Sequence, residues 1–315
     1  FSSNFLNRAP KQRGSKSKSV RTNNKTIEEL YKKLNDILLP QELQLNNFDH
    51  LIVVPTLNIA TLPFSAFKIE DSYLIEKMSY SIAPNLFELM LSDAKNTIKF
   101  RGSGNIISYN WENALFVANP NYPNNLKWEF PNLPSAEDEV NYIIEKANPT
   151  TFNQLSGKDA TKENILKSIC DYDLLYFATH GISNSDQPMD NSFLVLSDDG
   201  TENSYLSLRE IMNIRKACKL KADLVVLSVC QTGLGKSHKG GVIGLARAFQ
   251  IAGADHVLMS LWNIDDNETA TLMKYFFNEL EKAKELMPHE ALRQAVLKYK
   301  LEVNDDPKYW AAFSI

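Results

Sequence analysis

Cysteine is scarce: Cys170, Cys218 and Cys230 are the only three in 315 residues. An odd count this low excludes a disulfide framework, leaves at least one thiol free and fits a reducing compartment. No Cys and His pair stands at metal-ligand spacing, so neither a metal site nor a cofactor is expected. No apolar run approaches the ~18 residues of a membrane span. The polar, basic N-terminus lacks the apolar stretch of a secretory signal, so a cytoplasmic chain without membrane contact is expected. Acid is absent from residues 1–25, where Arg8, Lys11, Arg13, Lys16, Lys18, Arg21 and Lys25 give +7. With a formal net charge of −4, the rest of the chain carries −11.

What is present is a globular composition, 43% hydrophobic, with length for about two domain-sized units of ~150 residues. Residues 1–25, rich in Gly, Ser, Asn and Lys, cannot bury enough apolar surface to order themselves and read as a linker or tail. Direct nucleic-acid binding is expected only through this tail, whose cations can neutralise phosphates. A first residue Phe1 rather than Met implies a piece of a longer polypeptide.

Strands and helices alternate along the body. Residues 26–38 carry a helical apolar stripe ending before Pro40. Short strands are predicted at 51–54, from 62 and at 79–82, a helix at 84–91, and a buried strand at 114–118. A helix over 136–147 opens on Ser135 with Asp138 three residues on, close to a capping box. Further helices are predicted at 160–169, 208–216, 244–252, 267–284 and 288–300, and strands at 174–179, 193–196, 223–229 and 256–261. Alternation of this kind predicts an α/β fold with a mainly parallel sheet.

Two of these strands end on residues capable of covalent chemistry. Leu174–Thr179 runs into His180 and Gly181, and Asp223–Val229 runs into Cys230. Reactive groups collect outside the carboxyl ends of parallel strands, and neighbouring strands lie only ~5 Å apart. The pattern is that of a nucleophilic thiol with a histidine base. A thiol with a pKa near ~8.5 attacks a carbonyl well only when a base takes its proton or its pKa is lowered. Cys170 and Cys218 lie in helical or post-helical segments without a paired His and read as core thiols. His50, His238, His256 and His289 show no partner pattern and read as surface or internally satisfied. A rival pattern runs through Cys230-Gln231-Thr232-Gly233-Leu234-Gly235-Lys236-Ser237, a phosphate-binding loop in all but its first position. Cys replaces its opening Gly, and Gly240-Gly241 would interrupt the second turn of its helix, so nucleotide hydrolysis is the weaker reading.

A set of blocks, in order, resembles the CHAT domain. They are Leu51-Ile52-Val53-Val54-Pro55 with Leu62-Pro63-Phe64-Ser65-Ala66, Asn119-Pro120, and Leu133-Pro134-Ser135-Ala136-Glu137-Asp138-Glu139-Val140. Then come Ala178-Thr179-His180-Gly181, Leu227 to Gly235, Gly244-Leu245-Ala246-Arg247-Ala248-Phe249, Ser260-Leu261-Trp262 and Asp265-Asp266, with Tyr309-Trp310-Ala311-Ala312-Phe313 similar to the closing strand. Gln231 departs from the family's usual Glu after the cysteine.

The resemblance implies a caspase-like three-layer cysteine peptidase, in the group of separases and gingipains. It divides the chain into a basic tail (1–25), a linker helix (26–47), a pseudo-caspase-like half (48–150) and a catalytic half (151–315). His180 and Cys230 would form the dyad, the N–H groups of Gly181 and Cys230 the oxyanion hole, and a backbone carbonyl would orient the histidine in place of a carboxylate. The segment after strand 256–261 would wall the pocket for the residue before the cut. Trp262 would give it an apolar side, and Asp265, with Asp266, an acid for Arg or Lys. Either acid could instead cap the helix that follows. On the pocket reading, Arg8, Arg13 and Arg21 become candidate self-cleavage sites. Also implied are a protein substrate, a place as the regulated C-terminal module of a larger bacterial protein behind helical repeats or a sensor domain, and a possible RNA-guided effector partner. The loop Gly233–Gly241 is the segment a partner would order. A catalytically silent protein-binding module on the same fold is the remaining alternative.

Overall fold

The computed structural model describes residues 11–12, 24–55, 59, 62–83, 109, 111–124, 127–184, 187–198, 203–231, 241–262, 264–282 and 286–315. The elements before residue 130 are β1 (Lys11–Gln12), α1 (Asn24–Leu38), β2 (His50–Val53), β3 (Lys68–Ile69), β4 (Ser72–Tyr73), α2 (Leu74–Lys77), β5 (Ser79–Ile82), β6 (Asn113–Pro120) and β7 (Trp128–Glu129). Then follow α3 (Pro134–Ala147), β8 (Thr151–Gly157), α4 (Lys162–Leu166), β9 (Leu174–Ile182), α5 (Pro188–Asn191), β10 (Phe193–Val195), β11 (Tyr205–Ser207), α6 (Leu208–Ala217) and β12 (Leu224–Gln231). The chain closes with α7 (Gly241–Ala252), β13 (His256–Ser260), α8 (Asp266–Lys282), α9 (Pro288–Glu302), α10 (Pro307–Trp310) and β14 (Phe313–Ser314).

The apolar runs of β6, β9, β12 and β13 need cover on both faces, and a parallel sheet between helix layers provides it. These strands lie side by side with β8 in the order β8, β6, β9, β12, β13, all parallel, and β14 closes one edge antiparallel to β13. Past the end of its pairing with β6, β9 is joined antiparallel by β10, which pairs with β11; the sheet has eight strands. Alternate residues serve opposite layers. Phe116, Tyr176 and Val226 pack with Val140 of α3, Phe277 of α8 and Leu292 of α9. Val117, Phe177 and Val225 pack with Ile211 of α6 and Phe249 of α7. The result is an α/β fold around a mainly parallel central sheet. Before residue 83, β2 pairs parallel with β5, β3 pairs with β4, and the Ile82 N–H donates to the Ile315 carbonyl at 2.8 Å, tying β5 to the end of the chain.

Several local expectations change. The segment from Leu62 forms no strand; Phe64–Ala66 is a 3-10 turn with all three residues buried. Helix α3 starts two residues early, with Pro134 at its first position and Leu133 before it, so Ser135 is not the cap; Pro suits that position because its missing N–H has no helical partner there. The helix expected over 160–169 is only Lys162–Leu166, capped by Thr161, whose hydroxyl accepts the Asn164 N–H. The closing strand is limited to Phe313–Ser314 after a helical turn. Within the tail, Lys11–Gln12 pairs antiparallel with Trp128–Glu129, since a main-chain ladder needs no apolar side chains. The helix expected at 84–91, the loop residues 232–240 and the candidate cleavage sites Arg8, Arg13 and Arg21 lie outside the described residues.

Cys170 and Cys218 are not core thiols: they form a disulfide with a Cα–Cα distance of 6.3 Å. Cys170 sits in the turn Ile169–Asp171 and Cys218 caps the end of α6, 48 residues apart. Among the described residues no helix is long and apolar enough to cross a membrane, and no group of three metal-ligating side chains occurs.

Candidate active site

Strands β9 and β12 run parallel in a register that opposes Leu224 to Leu174 and, six and seven residues later, Cys230 to His180 and Gln231 to Gly181. Sequence alone placed both residues at strand ends; the ladder makes them direct partners across two strands that lie ~4.8 Å apart.

His180 is fully buried. Its Nε2 lies 2.6 Å from the carbonyl oxygen of Pro131. A carbonyl only accepts, so Nε2 carries the proton and Nδ1 is the bare, basic nitrogen. Nδ1 is buried and has no hydrogen-bond partner among the described residues. Tyr122 and Phe130 enclose the ring, with centroids 4.6 and 5.8 Å from it. Desolvation pushes the imidazole down to about 4, and the Pro131 carbonyl offsets part of that. At neutral pH the ring is therefore uncharged, in the tautomer a base requires. The backbone carbonyl that meets the imidazole is that of Pro131, in the stretch between β7 and α3. No sequence signal marked Pro131, Tyr122 or Phe130, because each reaches His180 from a loop about fifty or more residues away in the chain.

Gly181 has a packing reason to be glycine. A Cβ there would stand 2.4 Å from Cγ1 of Val229, the residue before Cys230. Gly181→Ala should therefore cost about 1–3 kcal/mol by overpacking, measured by denaturant unfolding. The double variant with Val229→Ala should recover part of the loss; equal destabilisation in both backgrounds would refute the contact.

The segment after β13 distributes its residues differently. The Trp262 indole N–H donates to the Lys308 carbonyl at 2.9 Å. Its ring lines a cavity of about 700 Å³ with Tyr31, Pro63, Tyr73 and Pro307. Asp265 accepts the Asn267 N–H on Oδ1 at 3.0 Å, the bond of an N-cap on α8. Asp266 is buried, in electrostatic contact with Glu139 of α3. Neither acid lines the cavity that holds Trp262.

The remaining histidines are internally engaged where described. His50 bonds the hydroxyls of Ser79 and Ser81 and stacks on His289 at 3.8 Å. His289 bonds Ser79, and His256 lies 3.2 Å from the Asp223 carbonyl. His238 lies outside the described residues.

The family model for the CHAT domain matches residues 24–315. Among curated proteins, tetratricopeptide repeat protein 28 of Homo sapiens is 25% identical over 298 aligned residues, and that of Mus musculus 24%. Each alignment covers 84% of this chain and 12% of the relative, so the chain spans about an eighth of their length. Among solved structures, the Arg-specific cysteine proteinase gingipain R superposes with a TM-score of 0.51 at 10% identity, over 93% of this chain and 67% of that one. The complex of the Porphyromonas gingivalis RgpB pro- and mature domains gives 0.50 at 11%, over 92% and 67%. At such identity these two matches speak for the fold alone, a gingipain-like one. The family model spans nearly the whole body of the molecule, and the chain belongs to the CHAT-domain family.

Proposed function

We propose that this domain is a cysteine endopeptidase in which His180 takes the proton of Cys230 as its sulfur attacks a peptide carbonyl. One observation carries the reading: the Cys230 and His180 backbones are register partners, while His180 is held by Pro131 with a buried, unpartnered Nδ1. A dry imidazole with a free lone pair, beside a cysteine, is the arrangement general-base activation requires. The N–H groups of Gly181 and Cys230 would hold the oxyanion, each donor being worth about 2.7–4 kcal/mol of barrier. The thiolate adds to the carbonyl carbon, the imidazolium protonates the departing amine, and water then hydrolyses the thioester.

The domain acts as a regulated module on a protein substrate. Its curated relatives are named for tetratricopeptide repeats and extend far beyond the matched region, which supports an upstream helical-repeat or sensor domain as the gate. A bacterial defence role and an RNA-guided effector as the trigger remain proposals from family resemblance. So does a pseudo-caspase-like half over 48–150, a span whose β6 joins the same sheet as β9 and β12. Trp262 and Asp265, just past β13, are proposed to help select a basic residue before the cut, Asp265 through the oxygen its capping bond leaves; Asp266 supports that turn from within.

A chloromethyl ketone peptide ending in Arg, followed by peptide mapping, tests the assignment. Cys230 should carry the label and Cys170 and Cys218 none. A peptide library should show basic preference in the wild type and lose it in Asp265→Ala. Labelling elsewhere removes Cys230 from the reaction, and a basic preference unchanged by Asp265→Ala removes that residue from recognition.

A further inference from the structure

One buried carboxylate lies behind the proposed dyad and takes no part in it. Glu139 of α3 is 1% exposed. The hydroxyl of Tyr176 on β9 donates to its Oε1, and Ser228 on β12 places its hydroxyl within reach of the same carboxylate. The three elements joined here also carry the three parts of the site. Tyr176 is four residues before His180 on one face of β9, and Ser228 two residues before Cys230 on β12. Helix α3 begins three residues after Pro131, whose carbonyl holds His180.

We infer that Glu139 is a positioning residue for the dyad: its carboxylate ties β9, β12 and the start of α3 together, and its ionisation sets how readily Cys230 reacts. The inference rests on the proposed peptidase reading. The charged and titratable groups that reach Glu139 are Tyr176 from β9 and Asp266 and Lys274 from α8. Burial, the largest influence, and the nearby Asp266 push Glu139 up to about 7, against the bonds from Tyr176 and Ser228 and the charge of Lys274. When ionised, the carboxylate accepts from both hydroxyls, fixing β9 and β12 in one arrangement. When protonated, it must donate one bond itself, one hydroxyl must turn, and the charge is gone.

The test is the rate of Cys230 alkylation by iodoacetamide in the full chain from pH 5.5 to 8.5, mapped by mass spectrometry. The wild type should show a rise of roughly five- to tenfold centred near pH 7, on top of the thiol's own titration; one unit of interaction corresponds to tenfold. Glu139→Gln keeps the shape and an acceptor but cannot ionise, and should abolish that rise. Tyr176→Phe removes a bond to the charged form and should move the rise to higher pH. A rise that persists unchanged in Glu139→Gln overturns the positioning role while leaving the dyad intact. Wild-type alkylation at the rate of free cysteine, indifferent to His180→Ala, overturns the peptidase reading instead. If Glu139→Gln fails to fold, an unmoved rise in Tyr176→Phe is equally fatal to the inference.

Discussion

His180→Ala should lower kcat/KM by about 10²–10⁴-fold, roughly 3–5 kcal/mol of barrier, and Cys230→Ala should leave no covalent turnover. Substrate binding should change little, because the ring is enclosed by Tyr122 and Phe130 and buried at the end of β9. The pH dependence separates this histidine from an exposed one. Its pKa in the fold is pushed down to about 4, below the ~6.5 of an unfolded histidine. The folded chain therefore binds fewer protons than the unfolded chain between these values. His180 contributes stability that is complete above pH ~6.5 and is lost as pH falls toward 4. Wild type should accordingly lose melting temperature in that window, and His180→Ala should lose less of it. His50 and His289, also held below their ordinary value by burial, act in the same direction. Glu139, raised, acts oppositely, withdrawing stability as pH rises from ~4.5 through about 7. An acid limb of kcat/KM unaltered by His180→Ala, or a drop of less than tenfold, would contradict the base assignment.

The parts of this site that could be read in the sequence are those written by strand periodicity. β9 and β12 are apolar throughout because both faces are covered, so their ends, and with them His180 and Cys230, could be located. Parallel pairing then followed from the alternation of elements, and the ladder agrees. Short or polar pieces were harder. Lys11–Gln12 pairs through a main-chain ladder, and the turn at Phe64–Ala66 has the composition of a strand. The partners of His180 were invisible for another reason: a backbone carbonyl has no residue signature, and Pro131 is 49 residues from the histidine it orients. Glu139 stood within the family block that marks α3, yet a helix pattern does not distinguish a buried Glu from a solvated one. Asp265 showed the opposite, since its short side chain before a helix favoured the capping bond it makes.

The disulfide was the costliest of these blind spots, and reducing it should have the largest effect on stability. Whether two cysteines 48 residues apart meet depends on tertiary placement of their Cα atoms, which spacing does not report. Cys170 precedes β9 and Cys218 precedes β12, so the bond joins the lead-ins of the two dyad strands. There Asp223 N–H also donates to the Asp173 carbonyl, and Asp173 N–H to Asn113, at 2.8 and 3.0 Å. Closing a loop of 48 residues limits the unfolded chain by about 4 kcal/mol on the chain-entropy model. For a chain of this size that is roughly 8 °C in melting temperature. Cys170→Ser with Cys218→Ser, or a mild reductant, should produce this loss. The same treatment should leave kcat/KM at 25 °C nearly unchanged, because six residues of β9 place the bond some ~20 Å from His180. Alkylation of the denatured, unreduced chain should then tag one cysteine, Cys230, and reduction should release two more. Three thiols tagged without reductant would show the pair to be open, restoring the reducing compartment that the low cysteine count first implied.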